Sequence, residues 1–254
     1  MKRFVWLILT SLFFVSLKAQ TSLCISTEKT TSLVFPFSIL HVDRGTQAVL
    51  AQQVKESPTI LLVKAAAKGF SETNLSVVTE DGSVYSFVVC YDNNPAIWVY
   101  HLPINKSATL ATYANGILDN PRTMHGIKHK KWDMEAMVSG IYIKDEIIYY
   151  QLSITNRSPV DYDIDVLRFF IRDKKKSKRT AIQETDLKPL HVAGNNKQVK
   201  SNSTSTLVFA LDKFTIPDAK YLAVQIMEKN GGRHLSMKTG NKKIMKAIKL
   251  PDLK

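Results

Sequence analysis

The tightest constraint on this chain is its recurring pattern of short, alternating apolar segments cut by turn residues. Residues 74–91 read NLSVVT, then EDG, then SVYSFVVCY. Two runs rich in β-branched and aromatic residues flank Asp81-Gly82, and glycine reaches the positive φ of a tight hairpin turn at little cost. On the second arm Tyr85, Phe87, Val89 and Tyr91 fall on one face, with Val84, Val88 and Cys90 on the other. Both faces are largely apolar, which predicts an internal strand covered on both sides. TILLVKA (59–65) is a further strand, and residues 141–156 (IYI, KDE, IIYYQLSITN) a second hairpin with Ile148, Tyr150, Leu152 and Ile154 on one face. TLVFAL (206–211) follows, then YLAVQIMEKNGGRHLSMK (221–238) with Asn230-Gly231-Gly232 as its turn. Period-two segments joined by such turns build antiparallel sheets.

The pattern breaks between residues 102 and 135, where Pro103, Gly116, Pro121 and Gly126 are spread among polar and basic residues. This stretch reads as a linker with one helical turn near residues 111–118. WDMEAMVSG (132–140) reads as a short helix. The tail IMKAIKL (244–250) suits either a strand or a short amphipathic helix. The expected fold is mainly β: two antiparallel β-sandwich domains, residues 20–101 and 136–254, joined by an irregular linker with one or two short helices.

The chain opens MKRFVWLILTSLFFVSLKAQ. Lys2 and Arg3 precede an apolar run from Phe4 to Leu17, and Ala19 offers a cleavage point. This is the form of a secretory signal peptide over residues 1–19, shorter than the roughly 20 apolar residues of a membrane span. Export predicts a periplasmic location. It also places the two cysteines, Cys24 and Cys90, where a disulfide can form. Two cysteines do not fix their own pairing. The alternatives are a bond that clips the mature N-terminus to a strand, or Cys90 as a small core residue.

The formal charge of +13 is uneven. Residues 1–167 hold 15 Lys and Arg against 15 Asp and Glu, whereas residues 168–254 hold 20 against 7. An excess confined to the last third points to an anionic partner: nucleic acid, lipid head groups or an acidic protein face. Its densest part lies in residues 154–181, ITNRSPVDYDIDVLRFFIRDKKKSKRTA. Tyr162, Ile164 and Val166 alternate with Asp161, Asp163 and Asp165. After Val166 the apolar set becomes Leu167, Phe169 and Ile171. Such a slip of phase is what a β-bulge produces, and burial of both faces toward the strand's end is the alternative. The loop that follows carries Lys174, Lys175, Lys176, Lys178 and Arg179, a basic interface candidate, and Ala181-Ile182 begins the return strand. No aromatic residues are interleaved with these lysines, as a single-strand-binding surface would have them.

Catalytic constellations are missing from the sequence. It contains no G-x-S-x-G elbow, no P-loop and no G-x-G-x-x-G. His125 and His129 stand four apart with Gly126 between them and no cysteine nearby, short of the ligand set that zinc requires. Asp161, Asp163 and Asp165 lack the glycine and closing glutamate of a calcium loop, and a strand spreads them along a solvated face. No catalytic residue, metal site or cofactor is expected.

Several words of the sequence carry a likeness. FPFSILHVDRGTQAVLAQ (35–52), ETNLSVVTEDGSVYSFVV (72–89), ITNRSPVDYDIDVLRFFIRDKKKSKRTAIQE (154–184), KFTIPDAK (213–220) and MEKNGGRHL (227–235) resemble the TraN family of Bacteroidetes conjugative transposons. The likeness covers nearly the whole mature chain, and YDIDVLRFFIRDKKKSKRTA is its most specific part. Thr73-Asn74-Leu75, Asp81-Gly82 and Tyr85-x-Phe87 are also similar to the CagX/TrbG/TraO class of type IV secretion subunits. The resemblance implies a structural subunit of the outer-membrane core complex of a conjugation apparatus. Such a subunit sits in the periplasm and is associated indirectly with the outer membrane. It assembles with copies of itself in a ring, with a TraM-type scaffold protein and with a small lipoprotein. The alternative is a periplasmic binding module that contacts DNA or an anionic envelope polymer through its basic C-terminal domain.

Overall fold

The computed structural model describes residues 21–174 and 183–253. Residues 1–19, expected to be a signal peptide, and most of the basic loop therefore lie outside the described residues. In chain order the elements are β1 (Thr21–Ile25), β2 (Thr31–Val34), β3 (Ile39–Arg44), β4 (Val49–Val54), β5 (Ser57–Ala65), β6 (Thr73–Thr79), β7 (Val84–Tyr91) and β8 (Val99–His101). Then come α1 (Lys106–Leu118), β9 (Lys128–Lys131), β10 (Met134–Lys144), β11 (Ile147–Asn156), β12 (Tyr162–Asp173), β13 (Glu184–Leu187) and β14 (His191–Ala193). The chain continues with β15 (Gln198–Val199), β16 (Ser203–Asp212), β17 (Lys220–Glu228), β18 (Leu235–Thr239), α2 (Asn241–Ile244) and β19 (Ile248–Lys249). Strand dominates helix, and the chain divides into two compact units. One runs to Val78 and resumes over Val84–Leu102, and the other takes Thr79–Ser83 and everything from Pro103.

The first unit is built from two four-stranded sheets, ordered β1-β7-β6-β3 and β4-β5-β2-β8. One apolar face of each closes on a shared core of Leu23, Leu33, Leu61, Val63, Leu75, Phe87 and Val89. The alternation of β5 and β6 puts every second side chain into that core. Gly82 takes the positive φ of 77° that the hairpin turn demands. β7 is internal, between β1 and β6. Only one of its faces is buried, however: Val84 is largely exposed and Val88 half-buried. The pairing is also not wholly antiparallel, since β1 runs parallel to β7 and β2 parallel to β8.

The second unit pairs a sheet ordered β14-β16-β11-β10-β19, with β9 beside β10, against one ordered β13-β12-β17-β18, with β15 beside β12. Their facing sides bury Val138, Tyr150, Leu152, Phe169, Phe209, Val224 and Ile226. α1 lies on the outer face of the first of these sheets, where Tyr113, Ala114 and Ile117 pack on Tyr149, Val208 and Ala210. β11 is consequently buried on both faces over residues 148–152.

Four expectations are corrected. WDMEAMVSG forms no helix: Trp132 and Asp133 both adopt positive φ, 52° and 56°, turning β9 into β10. Met134, Ala136 and Val138 then alternate into the core. Residues 102–135 do not form an irregular linker, because Met124 and Ile127 join the second core and α1 joins its sheet. The helix there spans 13 residues instead of one turn, capped by the Asn105 side chain accepting from the Ala108 amide. The phase slip of β12 is a bulge, but it falls between Ile164 and Val166, ahead of Val166.

Candidate functional site

The basic loop leaves the sheet where β12 ends. Lys174 is described, whereas Lys175, Lys176, Lys178 and Arg179 lie outside the described residues, as do Ala181 and Ile182. Antiparallel pairing of β12 with β17 sets Asp173 opposite Lys220, so Lys174 arrives beside residues 218–219. Its amide donates to the Ala219 carbonyl at 2.8 Å and its Nζ to the Asp218 carbonyl at 2.6 Å. The β17–β18 hairpin returns Lys238 to Tyr221, with Nζ 5.0 Å from the ring centroid. After Gly240, α2 brings Lys242 and Lys243, and Lys243 Nζ donates to the His125 carbonyl at 2.6 Å.

These elements enclose an open groove of about 480 Å³ walled by Lys174, Lys220, Lys238, Lys242 and Lys243, with Asp218 the one carboxylate among the described residues that line it. Two of the ammonium groups are held by main-chain carbonyls, which fix their positions without cancelling their charge. Lys220 is partly offset, 3.5 Å from Asp173 Oδ1. The groove therefore presents positioned positive charge, the arrangement that binds oxyanions such as phosphate.

A second exposed feature belongs to the first unit. Ile97, Trp98 and Val99 are consecutive and each about half exposed. Trp98 Nε1 donates to the Pro95 carbonyl at 2.6 Å, and Lys29 Nζ sits 4.2 Å above its ring. Val99 opens β8, the end strand of its sheet, which among the described residues bonds only to β2. An apolar, hydrogen-bond-competent strand edge is a surface on which another chain can add a strand.

The remaining sequence candidates have definite places. Cys24 and Cys90 are register partners in the β1–β7 pair, Cα atoms 4.7 Å apart, and form a disulfide. His129 Nδ1 accepts from the Ser236 amide at 3.3 Å. Among the described residues no three His, Cys, Asp or Glu side chains come together as a metal site. Asp161, Asp163 and Asp165 are exposed. Two of them also fasten the neighbouring segment: Asp161 accepts from the Ser201 amide, and Asp163 from Gln198 Nε2, each at 2.7 Å.

Sequence reasoning missed Lys220, Lys238, Lys242 and Lys243 as parts of one groove, because they are brought together only by strand pairing. It also missed a half-buried polar cluster. Arg233 donates to Glu228 Oε1 through Nε at 2.9 Å, to Ser158 Oγ at 2.9 Å and to the Asp161 carbonyl at 2.7 Å. Hydrogen bonding to Arg233 holds the Glu228 carboxyl below the usual glutamate range. Burial pushes the phenols of Tyr149, Tyr150 and Tyr162 upward.

Two family models match the chain. One, described as a domain of unknown function, DUF4138, covers residues 108–249, more than half of the chain. The other, DUF8473, also described as a domain of unknown function, covers residues 23–95. The two matches fall on either side of the break between the units at residues 102 and 103. No curated protein matches the chain.

Proposed function

We infer, on the premise that this chain belongs to the DUF4138 family, that it is a structural subunit of the outer-membrane core complex of a conjugative type IV secretion apparatus. Its action is assembly and not catalysis. The observation that carries the reading is the β8 edge, which among the described residues bonds only to β2, with Val99 exposed on it and Ile97 and Trp98 exposed just before it. A chain that works alone has reason to cover such an edge, whereas a ring subunit uses it against a neighbour. The resemblance to the TraN family supplies the kind of assembly. Copies of this chain, a TraM-type scaffold protein and a small lipoprotein are the partners, met in the periplasm after signal-directed export.

Affinity purification of tagged protein from envelope fractions of the native host tests this. Recovery within a large multi-protein ring is expected, and Val99→Lys, which puts a charge on the β8 edge, is expected to shift recovery to the free chain with its circular dichroism unchanged. Wild-type protein recovered only as a free monomer would overturn the reading. A second reading, a module that binds DNA or an anionic envelope polymer, is favoured by one observation, the lysine-walled groove of the second unit.

A further inference from the structure

We propose that the lysine-walled groove is a phosphate-binding site that seats the second unit directly on an anionic lipid surface. This goes beyond the assembly reading and does not depend on it, since the resemblance implies only an indirect association with the membrane.

The first observation is the uncompensated charge. Lys174 and Lys243 have their ammonium groups anchored on main-chain carbonyls, Lys238 lies against the Tyr221 ring, and Lys242 is exposed. Lysine is a point charge with three donors and suits a phosphate approached from any direction. Among the described residues no arginine lines the groove, so there its charge is presented as ammonium points and not as the planar fork that reads base edges or grips a phosphodiester in two-point fashion.

The second observation is apolar. Met245 is 84% exposed, the most exposed large hydrophobic side chain of the described residues. Alone it would mean nothing, since single exposed apolar residues are common. It directly follows α2, however, with Lys242 and Lys243 before it and exposed Lys246, Ile248 and Lys249 after it. Its amide is fixed on the Asn241 carbonyl at 2.9 Å, so it stays within a turn of the groove. An apolar side chain set among lysines is the composition of a segment that rests in a lipid interface, lysines on the head-group phosphates and the apolar group between the chains.

Co-sedimentation of the purified, signal-free protein with vesicles tests the proposal. Vesicles of phosphatidylcholine with about one-third phosphatidylglycerol should bind it, and pure phosphatidylcholine should not. Binding should weaken as salt rises. Lys238→Ala and Lys242→Ala should each lower it about fivefold. Lys197→Ala with Lys200→Ala removes two charges, as Lys238→Ala combined with Lys242→Ala does, but at the far end of β12, about 30 Å away by strand rise, and should leave binding nearly unchanged. Met245→Ser should lower binding several-fold without altering the salt dependence. Inorganic pyrophosphate and a single-stranded oligonucleotide serve as the other probes. Pyrophosphate competing with the vesicles supports the groove as the phosphate site. Oligonucleotide binding at physiological salt without vesicle binding overturns the proposal in favour of a nucleic-acid site. Vesicle binding equally sensitive to both lysine pairs overturns it in favour of diffuse surface charge. All of these use the isolated chain, so they can fail while ring assembly stands, or hold while it falls.

Discussion

Two buried tyrosines differ in a single hydrogen bond, and removing each hydroxyl should move stability in opposite directions. Tyr150 and Tyr162 are both wholly buried in the second unit. Tyr150 packs between Phe169, with ring centroids 5.5 Å apart, and Phe214, at 6.4 Å. Its hydroxyl has no hydrogen-bond partner among the described residues. Tyr162 instead donates to the Arg233 carbonyl at 2.7 Å. A hydroxyl taken from water into an apolar site without a partner costs about 1–3 kcal/mol. Tyr150→Phe removes that cost and leaves a gap of only one oxygen, so a net gain of about 1 kcal/mol is expected. Tyr162→Phe loses a made bond and leaves the Arg233 carbonyl short of a donor, a loss of about 1–2 kcal/mol. In a unit of this size, 1 kcal/mol moves Tm by about 2–4 °C. Thermal unfolding followed by near-ultraviolet circular dichroism reads both, because both rings report on the same transition. If Tyr150→Phe destabilises as much as Tyr162→Phe, the Tyr150 hydroxyl is satisfied and the reasoning fails.

Two further outcomes follow from the fold. The Cys24–Cys90 disulfide joins residues 66 apart in sequence. Closing a loop of that length restricts the unfolded chain by about 4 kcal/mol. The Cys24→Ser, Cys90→Ser double variant should therefore unfold the first unit at markedly lower urea, and an unchanged midpoint would refute this. Glu228 has its folded pKa lowered by Arg233, so its contribution is present above the unfolded glutamate value of about 4.3 and is lost as pH falls through the folded one. Glu228→Gln should cost about 1.5–3 kcal/mol at neutral pH, and the difference from wild type should begin to narrow below the unfolded value and close as pH falls through the lowered folded one. A difference independent of pH would mean that the charge is not what matters there.

What the sequence discloses here is what it encodes locally. Asp81-Gly82 and Asn230-Gly231-Gly232 mark turns by their backbone demands, and the hairpins they predict are present. The β12 bulge is legible because a slip of one residue reverses which side chains are apolar. Residues 132–140 mislead because Met, Glu and Ala are good helix formers. The two consecutive positive-φ residues that make a hairpin there are Trp132 and Asp133, neither of them glycine. α1 is hidden for the opposite reason. Thr109, Thr112, Asn115 and Gly116 are weak helix formers, and the helix is held by packing Tyr113, Ala114 and Ile117 onto a sheet assembled from β11, β14 and β16. The parallel pairs are invisible locally, since β1 meets β7 only after the chain has built the strands between them. The groove is hidden likewise: its lysines come from the end of β12, both arms of the β17–β18 hairpin and α2, so only tertiary pairing makes them one site.

The charge excess itself divides by residue type. In the second unit Arg157 bridges Glu135, Arg168 bridges Glu184 and Asp186, Arg172 bridges Glu184, and Arg233 bridges Glu228. These contacts fasten β10 to the segment after β11, β12 to β13, and the β17–β18 turn to the end of β17, where a planar, always-charged fork loses little freedom for each bond it makes. They also take up carboxylates that would otherwise offset the lysines. Some lysines are paired: Lys144 with Asp145 and Asp252, Lys213 with Glu146, and Lys220 with Asp173. The lysines at 238, 242 and 243 meet an aromatic face, solvent or a carbonyl instead. Arginine therefore fastens the fold and lysine supplies the external field. Substituting Lys238 or Lys242 should leave Tm nearly unmoved while weakening any anionic contact, whereas substituting Arg168 should lower Tm and spare that contact. The same net charge is removed in each case, so a common response to all three would deny that the two roles are separate.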